Sequence, residues 1–256
     1  MKTVNYDGVA ASYNTRYKGD AYKPEGIASK LLNLIHETGA ESVLEVGCGT
    51  GHWLNLLQDL TRVVGIDQSY GMLEKAEERR GKFFLIQGNA GKLPFQSKCF
   101  DLVYCVNALH HFQNPLTFIS RAYELLKEKG VLTVIGMNPH PLRDRWFIYD
   151  YFPGTLDADL KRYPSPGTIA DWMISAGFGE IHWQWAEHLR NDRKGDEILS
   201  LSKDFTSQLT LLSQEEYAKG RARIVADLEK AKKAGETIIF PVDISLSMVT
   251  GRRKSS

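Results

Sequence analysis

The sequence is poor in cysteine, in excess charge and in long apolar runs, and each shortage excludes a class of protein. Its three cysteines, Cys48, Cys99 and Cys105, have neither the spacing of a disulfide framework nor that of a C-x-x-C metal site. This usage predicts free thiols, no metal and a reducing compartment such as the cytoplasm. A formal net charge of +1 gives no general attraction to nucleic acid, so no DNA or RNA partner is expected.

Apolar residues are numerous enough for a core but never consecutive enough for a membrane span. They make up 43% of the chain, which is ordinary for a globular domain. No run approaches the roughly 18 consecutive apolar residues that a span requires. Residues 1–17 also lack the apolar centre of a signal peptide. We therefore expect a globular protein without a membrane span.

Strand and helix patterns alternate along the first half of the chain. Amphipathic helices are predicted over 24–37, 70–79 and 116–129. Short apolar strands are predicted between them, over 42–46, 62–66, 83–87, 101–106 and 131–136. This alternation indicates an α/β fold with a Rossmann-like, doubly wound and mostly parallel sheet.

In the second half of the sequence, the patterns predict fewer elements of the core and more segments that cover the sheet. Ser165-Pro166 begins a helix, and a capping box at Ser213 and Glu216 opens a polar helix that reaches about residue 234. Strands are predicted over 180–185 and, singly or as a pair, over 238–249. Residues 1–256 are expected to form one domain, whose core is about 24–137, 165–185 and 237–251. The lid elements are then about 1–23, 138–164 and 186–236.

Several aromatic and basic residues lie in or near this lid. The aromatic segment 146–152 is assigned to the lid, where it would line an apolar substrate pocket. Trp183 and Trp185 are assigned to ordinary core packing. Arg143 and Arg145 could recognise a carboxylate or be solvated surface charges.

A glycine-rich turn, Glu45-Val-Gly-Cys-Gly-Thr-Gly51, follows the first predicted strand. Glycine lets the backbone approach a ligand closely, because no Cβ intervenes and a positive φ costs little. In open α/β sheets this turn lies at the carboxyl edge, where ligands bind. Its G-x-G-x-G spacing differs from the dinucleotide fingerprint G-x-G-x-x-G, whose third glycine would fall on His52.

Asp67 ends the second predicted strand, twenty residues after Gly47. A carboxylate there can accept hydrogen bonds from both hydroxyls of an adenosine ribose. Either feature alone could be structural, Asp67 as a helix cap and the glycines as a turn. In register with the first two strands, they together predict a nucleoside cofactor site.

The segments VLEVGCGTG, VVGIDQSYGML, LIQGNAGKLPF and FDLVYCVNALHHF resemble the core of class I S-adenosylmethionine-dependent methyltransferases. The similarity is to the broad small-molecule group that contains the quinone-biosynthesis methyltransferases. It covers residues 43–136, and a YDxxAxxY pattern at Tyr6–Tyr13 fits the N-terminal helix of the same group. The resemblance implies a seven-stranded, mostly parallel sheet with an antiparallel last strand, an N-terminal helix and a lid insertion. It also implies S-adenosylmethionine as cofactor and S-adenosylhomocysteine as product.

By this resemblance, Glu45 would hold the methionine amino group through water. Gly47 and Gly49 would lie alongside the methionyl part, with Cys48 between them in the same loop. Asn107, at the end of the fourth strand, would lie near the methionyl carbonyl and amine.

The resemblance also assigns the nucleoside end of the cofactor. Asp67 would bind the ribose, and Gln68 and Met72 would flank the ribose and the adenine. Asn89-Ala90 occupy the place where the family usually has Asp-Ala; the asparagine oxygen could still accept a hydrogen bond from the adenine amino group, without the charge. Tyr13 would close over the cofactor.

His110 and His111 follow the fourth strand and are the candidate catalytic residues. A sulfonium already activates its methyl group, so the enzyme mainly needs to align the nucleophile and exclude water. An imidazole could in addition deprotonate the nucleophile, or the histidines could only brace the loop. His140 is a lesser candidate.

The expected activity is methyl transfer to an O, N or C nucleophile of a small molecule, with an aromatic or apolar acceptor as an option. The run Asn107-Ala-Leu-His110 differs from the Asn/Asp-Pro-Pro-aromatic run typical of enzymes that methylate nucleic-acid bases. Two alternatives stay open: an NAD-linked oxidoreductase, and a homologue that binds S-adenosylmethionine without catalysis. A monomer and a homodimer are both compatible with the sequence.

Overall fold

A mixed α/β sheet organises the fold. The computed structural model describes residues 6–13 and 24–255, so the predicted lid segment 1–23 lies partly outside the described residues. The strands are β1 (Ser42–Val46), β2 (Arg62–Asp67), β3 (Phe84–Gln87), β4 (Phe100–Val106), β5 (Leu126–Met137), β6 (Arg145–Trp146), β7 (Phe178–Arg190) and β8 (Val242–Arg253).

Helices cover both faces of the sheet. They are α1 (Tyr6–Tyr13), α2 (Glu25–Thr38), α3 (His52–Leu57), α4 (Tyr70–Glu77), α5 (Pro115–Leu125), α6 (Phe147–Tyr151), α7 (Thr155–Arg162), α8 (Pro166–Ser175), α9 (Gly195–Ser200), α10 (Ser207–Thr210) and α11 (Gln214–Ala234). Short 3-10 helices occur at Leu109–His111 and Lys203–Phe205.

The strand order places a ligand-binding edge beside β1. The order begins β3-β2-β1-β4-β5-β8, and β1 pairs in parallel with both β2 and β4. Strand order therefore reverses next to β1, which is where open α/β sheets bind ligands. β8 runs antiparallel to β5, β6 and β7. The predicted mostly parallel sheet with an antiparallel last strand is confirmed, and the two-residue β6 is an addition to the seven strands expected.

Local sequence signals define several helix boundaries. Ser165 caps α8 by accepting the Thr168 amide, and Pro166 occupies the first turn. Ser213 and Glu216 form the predicted capping box of α11. Gly235, with a φ of 71°, caps the other end of this helix. On α2, Ile27, Leu31, Leu34 and Ile35 form the buried face that their spacing predicts.

Several predicted boundaries were wrong: the last strand, predicted over 238–249, is Val242–Arg253, and two other differences move residues between elements. The helix expected to reach residue 129 ends at Leu125, because Leu126 adopts an extended conformation and begins β5 opposite Phe100. A register shift follows before the rest of β5 pairs with β4. β7 continues to Arg190, so residues 186–190, which were assigned to the lid, lie in the sheet.

The assignment of Trp183 and Trp185 to the core was also wrong. Their exposed fractions are 55% and 43%, and the two rings pack edge-to-face with 5.7 Å between centroids. Both lie on β7, which pairs with β8 outside the main strand order. Their rings lie at the surface of the sheet.

The covering segments pack on one another beside the sheet. α6 and α11 meet where the Phe152 ring stacks on Tyr217, with 5.9 Å between centroids. Gly220 of α11 permits this approach, because a Cβ there would lie 2.2 Å from the Phe152 ring. Within the described ranges, no helix has both the length and the apolar character needed to cross a bilayer.

Candidate active site

The glycine-rich turn after β1 is shaped as a cradle. Gly47, Gly49 and Gly51 all have positive φ, at 76°, 51° and 69°. A Cβ at Gly47 would lie 2.5 Å from the Cβ of Ala108, so a larger residue would not fit without movement. The Gly47 and Cys48 amides both donate to the Ile66 carbonyl of β2, at 2.8 and 3.2 Å. These bonds join the turn to the end of the neighbouring strand.

Asp67, at the end of β2, fixes the same turn from the other side. Its Oδ2 accepts the Gly49 amide at 2.8 Å, and its Oδ1 accepts the Ser69 amide at 2.9 Å. Each carboxylate oxygen can accept a further hydrogen bond. Burial raises the pKa of Asp67, and the amide hydrogen bonds oppose this rise.

Glu45 is a buried acid directly beneath the turn. It is 1% exposed, and its Oε2 accepts the Tyr104 hydroxyl at 3.0 Å. Burial raises the pKa of Glu45 well above its ordinary value, the Tyr104 hydrogen bond opposes the rise, and the charge of Asp67 adds to it. A nearby ammonium group would stabilise the ionised form, because opposite charges at short range favour ionisation.

Asn107, after β4, presents an unsatisfied acceptor in the same region. Its backbone has a φ of 49° and its amide donates to the Ile135 carbonyl at 2.8 Å. The side-chain Oδ1 is buried and accepts no hydrogen bond from the described residues. Such an atom is costly to bury unless a ligand or water donates to it. The Oδ1 atom can therefore accept a hydrogen bond from an amino group of a ligand.

These elements surround a cleft of about 620 Å³ at the carboxyl edge of the sheet. Most of the residues predicted for the site line it, namely Tyr13, Gly47, Gly49, Asp67, Gln68, Met72, Asn89, Ala90, Asn107, His110 and His111. Two do not: Glu45 lies beneath the floor, and the Cys48 side chain is directed at Gly65 behind the turn. Cys48 can therefore face the cleft only through its backbone.

Helix α1 covers the cleft and is held by a residue that the sequence analysis did not single out. Asp7 accepts the Ser69 hydroxyl at 2.6 Å and the Gly71 amide at 2.9 Å. These bonds lower the pKa of Asp7, the Ser69 contact most. Tyr13 and Met72 belong to the small apolar cluster between α1 and α4. The tethered helix can exclude water from the cleft.

The two candidate histidines have different surroundings. His111 Nε2 lies 2.6 Å from the Tyr6 hydroxyl, so this residue joins α1 to the loop after β4. The His110 ring stacks on Tyr163, with 4.0 Å between centroids. Burial lowers the pKa of His110 well below its ordinary value, and the positive charges of His111 and Arg162 add to this effect. His110 is therefore neutral at physiological pH.

A second chamber of about 160 Å³ adjoins the cleft. The two cavities share a wall of six residues, Tyr6, Tyr13, Val106, Asn107, His110 and His111. Much of the rest of the chamber is apolar and is contributed by Met137, Trp146, Leu189, Val242, Ile244 and Leu246. From the predicted aromatic segment, Trp146 alone appears in this lining, whereas Phe147 and Phe152 are core residues.

Three other predicted residues lie away from both cavities. Arg143 and Arg145 are exposed, so the surface alternative holds for both. His140 is exposed too, and its Nε2 lies 2.7 Å from the Tyr163 carbonyl oxygen. In contrast, Arg162 and Arg193 line the cleft and the chamber respectively, and no sequence pattern identified them.

Comparison with known proteins agrees with this geometry. Residues 44–134 match a family described as a methyltransferase domain. A demethylmenaquinone methyltransferase of Thermotoga maritima is 31% identical over 171 residues, which are 58% of this chain and 75% of that protein. The chain belongs to the class I S-adenosylmethionine-dependent methyltransferases. It is an enzyme whose cofactor is S-adenosylmethionine, which is inconsistent with an NAD-linked oxidoreductase.

Two further relatives extend the comparison. An uncharacterized protein of Methanocaldococcus jannaschii is 36% identical over 154 residues, which cover 60% of this chain and 62% of that protein's length. A solved S-adenosylmethionine-dependent methyltransferase of Thermotoga maritima aligns with a TM-score of 0.61 at 18% identity, covering 97% of this chain and 98% of that one. The latter similarity shows the shared fold.

Proposed function

We propose that this enzyme transfers a methyl group from S-adenosylmethionine to an O, N or C nucleophile of a small molecule held in the second chamber. The observation that carries the proposal is the wall shared by the cleft and the chamber. This wall includes Asn107, His110 and His111. A cofactor in the cleft and a small molecule in the chamber would therefore meet beside these side chains. The relative from Thermotoga maritima, a demethylmenaquinone methyltransferase, supports a small acceptor.

The cofactor's methionyl end belongs at the glycine turn in this proposal. Asn107 Oδ1 accepts a hydrogen bond from the amino group, and the Glu45 carboxylate beneath the turn supplies the opposite charge. Gly47 and Gly49 leave the space that the methionyl chain needs. The bound cofactor supplies a methyl group already activated by the sulfonium.

The nucleoside end belongs between β2 and α4. Asp67 accepts the two ribose hydroxyls with the lone pairs that Gly49 and Ser69 leave free. Gln68 and Met72 line the adjoining surface. Asn89 Oδ1 accepts the Gly91 amide at 2.8 Å and keeps one lone pair for the adenine amino group.

Catalysis rests mainly on alignment and the exclusion of water. Tyr6 and Tyr13 cover the junction of the two cavities from α1, and Trp146 bounds the chamber. A water-poor junction holds the nucleophile near the cofactor at low entropic cost. His110 is neutral and faces the junction, so it serves as the proton acceptor where the nucleophile arrives protonated.

Calorimetry with S-adenosylhomocysteine and with NAD tests the cofactor assignment directly. We expect the homocysteine nucleoside to bind with one-to-one stoichiometry and NAD to give no heat beyond dilution. Radiolabelled S-adenosylmethionine should then transfer its methyl group to members of a panel of small phenols, amines and acids. Binding of NAD without binding of S-adenosylhomocysteine would refute the proposal.

Replacing Asp67 with alanine should weaken binding of S-adenosylhomocysteine. Two hydrogen bonds from ribose hydroxyls to a carboxylate are worth roughly 2–4 kcal/mol together, which corresponds to an increase in Kd of about 30-fold to 1000-fold. Isothermal titration calorimetry measures this change.

The matched control for this prediction is Asp67→Asn. Asparagine keeps one acceptor oxygen and removes the charge, so its Kd should lie between those of the wild type and the alanine variant. Circular dichroism verifies that both variants keep the fold, since Asp67 also binds the Gly49 amide. An unchanged Kd in the alanine variant would show that the ribose lies elsewhere.

A further inference from the structure

One cation stands alone in the lining of the second chamber. Arg193 is the only Lys, Arg, Asp or Glu among the described residues that line it. Its backbone is fixed by a reciprocal pair of hydrogen bonds with Phe240, both of 2.9 Å. Its guanidinium carbon lies 5.2 Å from the centroid of the Phe205 ring. Backbone and side chain are therefore both held against the chamber.

Arg193 forms no ion pair with a carboxylate in the described part of the chain. No described carboxylate lies within 4.0 Å of its guanidinium group, whereas Arg162 beside the cleft pairs with Asp159 at 2.7 Å. The Arg193 Nε is buried and donates to no described acceptor. Burial lowers the pKa of Arg193 and the charge of Glu197 opposes this, but an arginine stays charged in proteins.

A half-buried cation without a carboxylate partner is costly unless a ligand neutralises it. The remaining lining provides apolar surface from Trp146, Leu189 and Ile244, together with uncharged polar side chains, among them Asn191, Thr206, Ser207 and Gln208. A ligand that satisfies both features has an apolar body and an acidic group. The planar guanidinium matches a carboxylate, which can accept two parallel hydrogen bonds from it.

We infer that Arg193 is the specificity-determining residue for the acceptor, and that the acceptor is a compact apolar or aromatic carboxylic acid. Its carboxylate binds Arg193, its apolar body fills the chamber, and its nucleophilic atom lies at the junction lined by His110 and Asn107. This inference rests on the proposed function, because it assigns the second chamber to the methyl acceptor.

Calorimetry on the enzyme saturated with S-adenosylhomocysteine tests this inference with two probes that differ in charge. We expect 4-hydroxybenzoate to bind at least about tenfold more tightly than the uncharged 4-hydroxybenzamide, as one charge-assisted contact predicts. In Arg193→Gln the acid should lose at least about tenfold in affinity while the amide stays within about threefold. Arg193→Lys should keep part of the preference, because it retains the charge without the planar fork.

Arg190→Gln provides the matched control. Arg190 lies at the end of β7 with 72% of its side chain exposed, and it pairs with Asp243 at 3.4 Å. Its removal should leave the affinities for both probes unchanged.

The wild-type comparison of acid and amide needs no variant, so a folding defect in Arg193→Gln does not hide the answer. Equal affinities for the two probes, or no binding of either, would overturn the inference. An acid preference that persists in Arg193→Gln would overturn it as well. Failure of S-adenosylhomocysteine itself to bind would instead contradict the proposed function, so the two failures can be told apart.

Discussion

Replacing His110 with alanine should lower kcat by about 10²-fold to 10⁴-fold, the usual loss when a general base is removed. The dissociation constant for S-adenosylhomocysteine should stay within about twofold of the wild-type value. His110 lines both cavities at their junction, and its ring is held by stacking on Tyr163. Initial rates with an acceptor that the wild type methylates measure the loss.

The pH dependence of kcat follows from the lowered pKa of His110. A base is active when it is deprotonated, and burial keeps this imidazole deprotonated well below its ordinary titration range. Activity should therefore not fall as the pH is lowered from 8 through 6.5, where an ordinary histidine would take up its proton. A half-loss of kcat centred near pH 6.5 would indicate that His110 is not the group that accepts the proton.

His111→Ala is the matched control for His110→Ala. His111 contacts the Tyr6 hydroxyl on α1, whereas His110 is the residue that we propose as the proton acceptor. We expect His111→Ala to lower kcat less than His110→Ala does, because it removes one contact of α1, which Asp7 still holds, and leaves the proposed proton acceptor in place. Normal turnover in both variants would refute the general-base hypothesis, and alignment with desolvation would then suffice.

Local signals in the sequence predict much of the fold and the cofactor cleft. The fully buried β1 is marked by its short apolar run, and α11 by the capping box at Ser213 and Glu216. The glycine turn and Asp67 are likewise read from spacing, because each lies directly after a strand. In a doubly wound sheet, parallel strands bring such ends to one edge. Residues that directly follow consecutive strands therefore lie close together in the cleft.

The second chamber could not be predicted in this way, because its lining comes from distant segments. Trp146, Arg193 and Ile244 meet only after the elements following β5 and β7 fold over the sheet edge. Nothing in the spacing of the residues around Arg193 distinguishes it from Arg143, which lies on the surface. The exposure of a strand residue depends likewise on whether a distant segment covers it, and Trp183 on β7 is exposed although its alternation suits a core strand.

A buried polar network holds the covering segment against both cavities, and it centres on Asp159. This carboxylate is 0% exposed and accepts hydrogen bonds from Arg162 Nη2 at 2.7 Å, Gln208 Nε2 at 2.8 Å and the Tyr149 hydroxyl at 2.9 Å. Arg162 lines the cleft and Gln208 lines the chamber, so a single acid connects the two. Burial raises the pKa of Asp159, with the contacts from Arg162 opposing the rise.

Asp159→Ala should lower the free energy of unfolding by about 3–5 kcal/mol, the usual cost of breaking a buried ion pair from one side. The variant leaves the Arg162 charge and two donors buried without their acceptor, and chemical denaturation with urea measures the loss.

In the double variant Asp159→Leu with Arg162→Met the loss should be smaller, because no charge is left uncompensated. Asp59→Ala is the exposed control: it removes a solvent-exposed pair with Lys82, which solvent screens, so its loss should be far smaller than that of Asp159→Ala. Equal losses in Asp159→Ala and Asp59→Ala would mean that this network does not hold the covering segment in place.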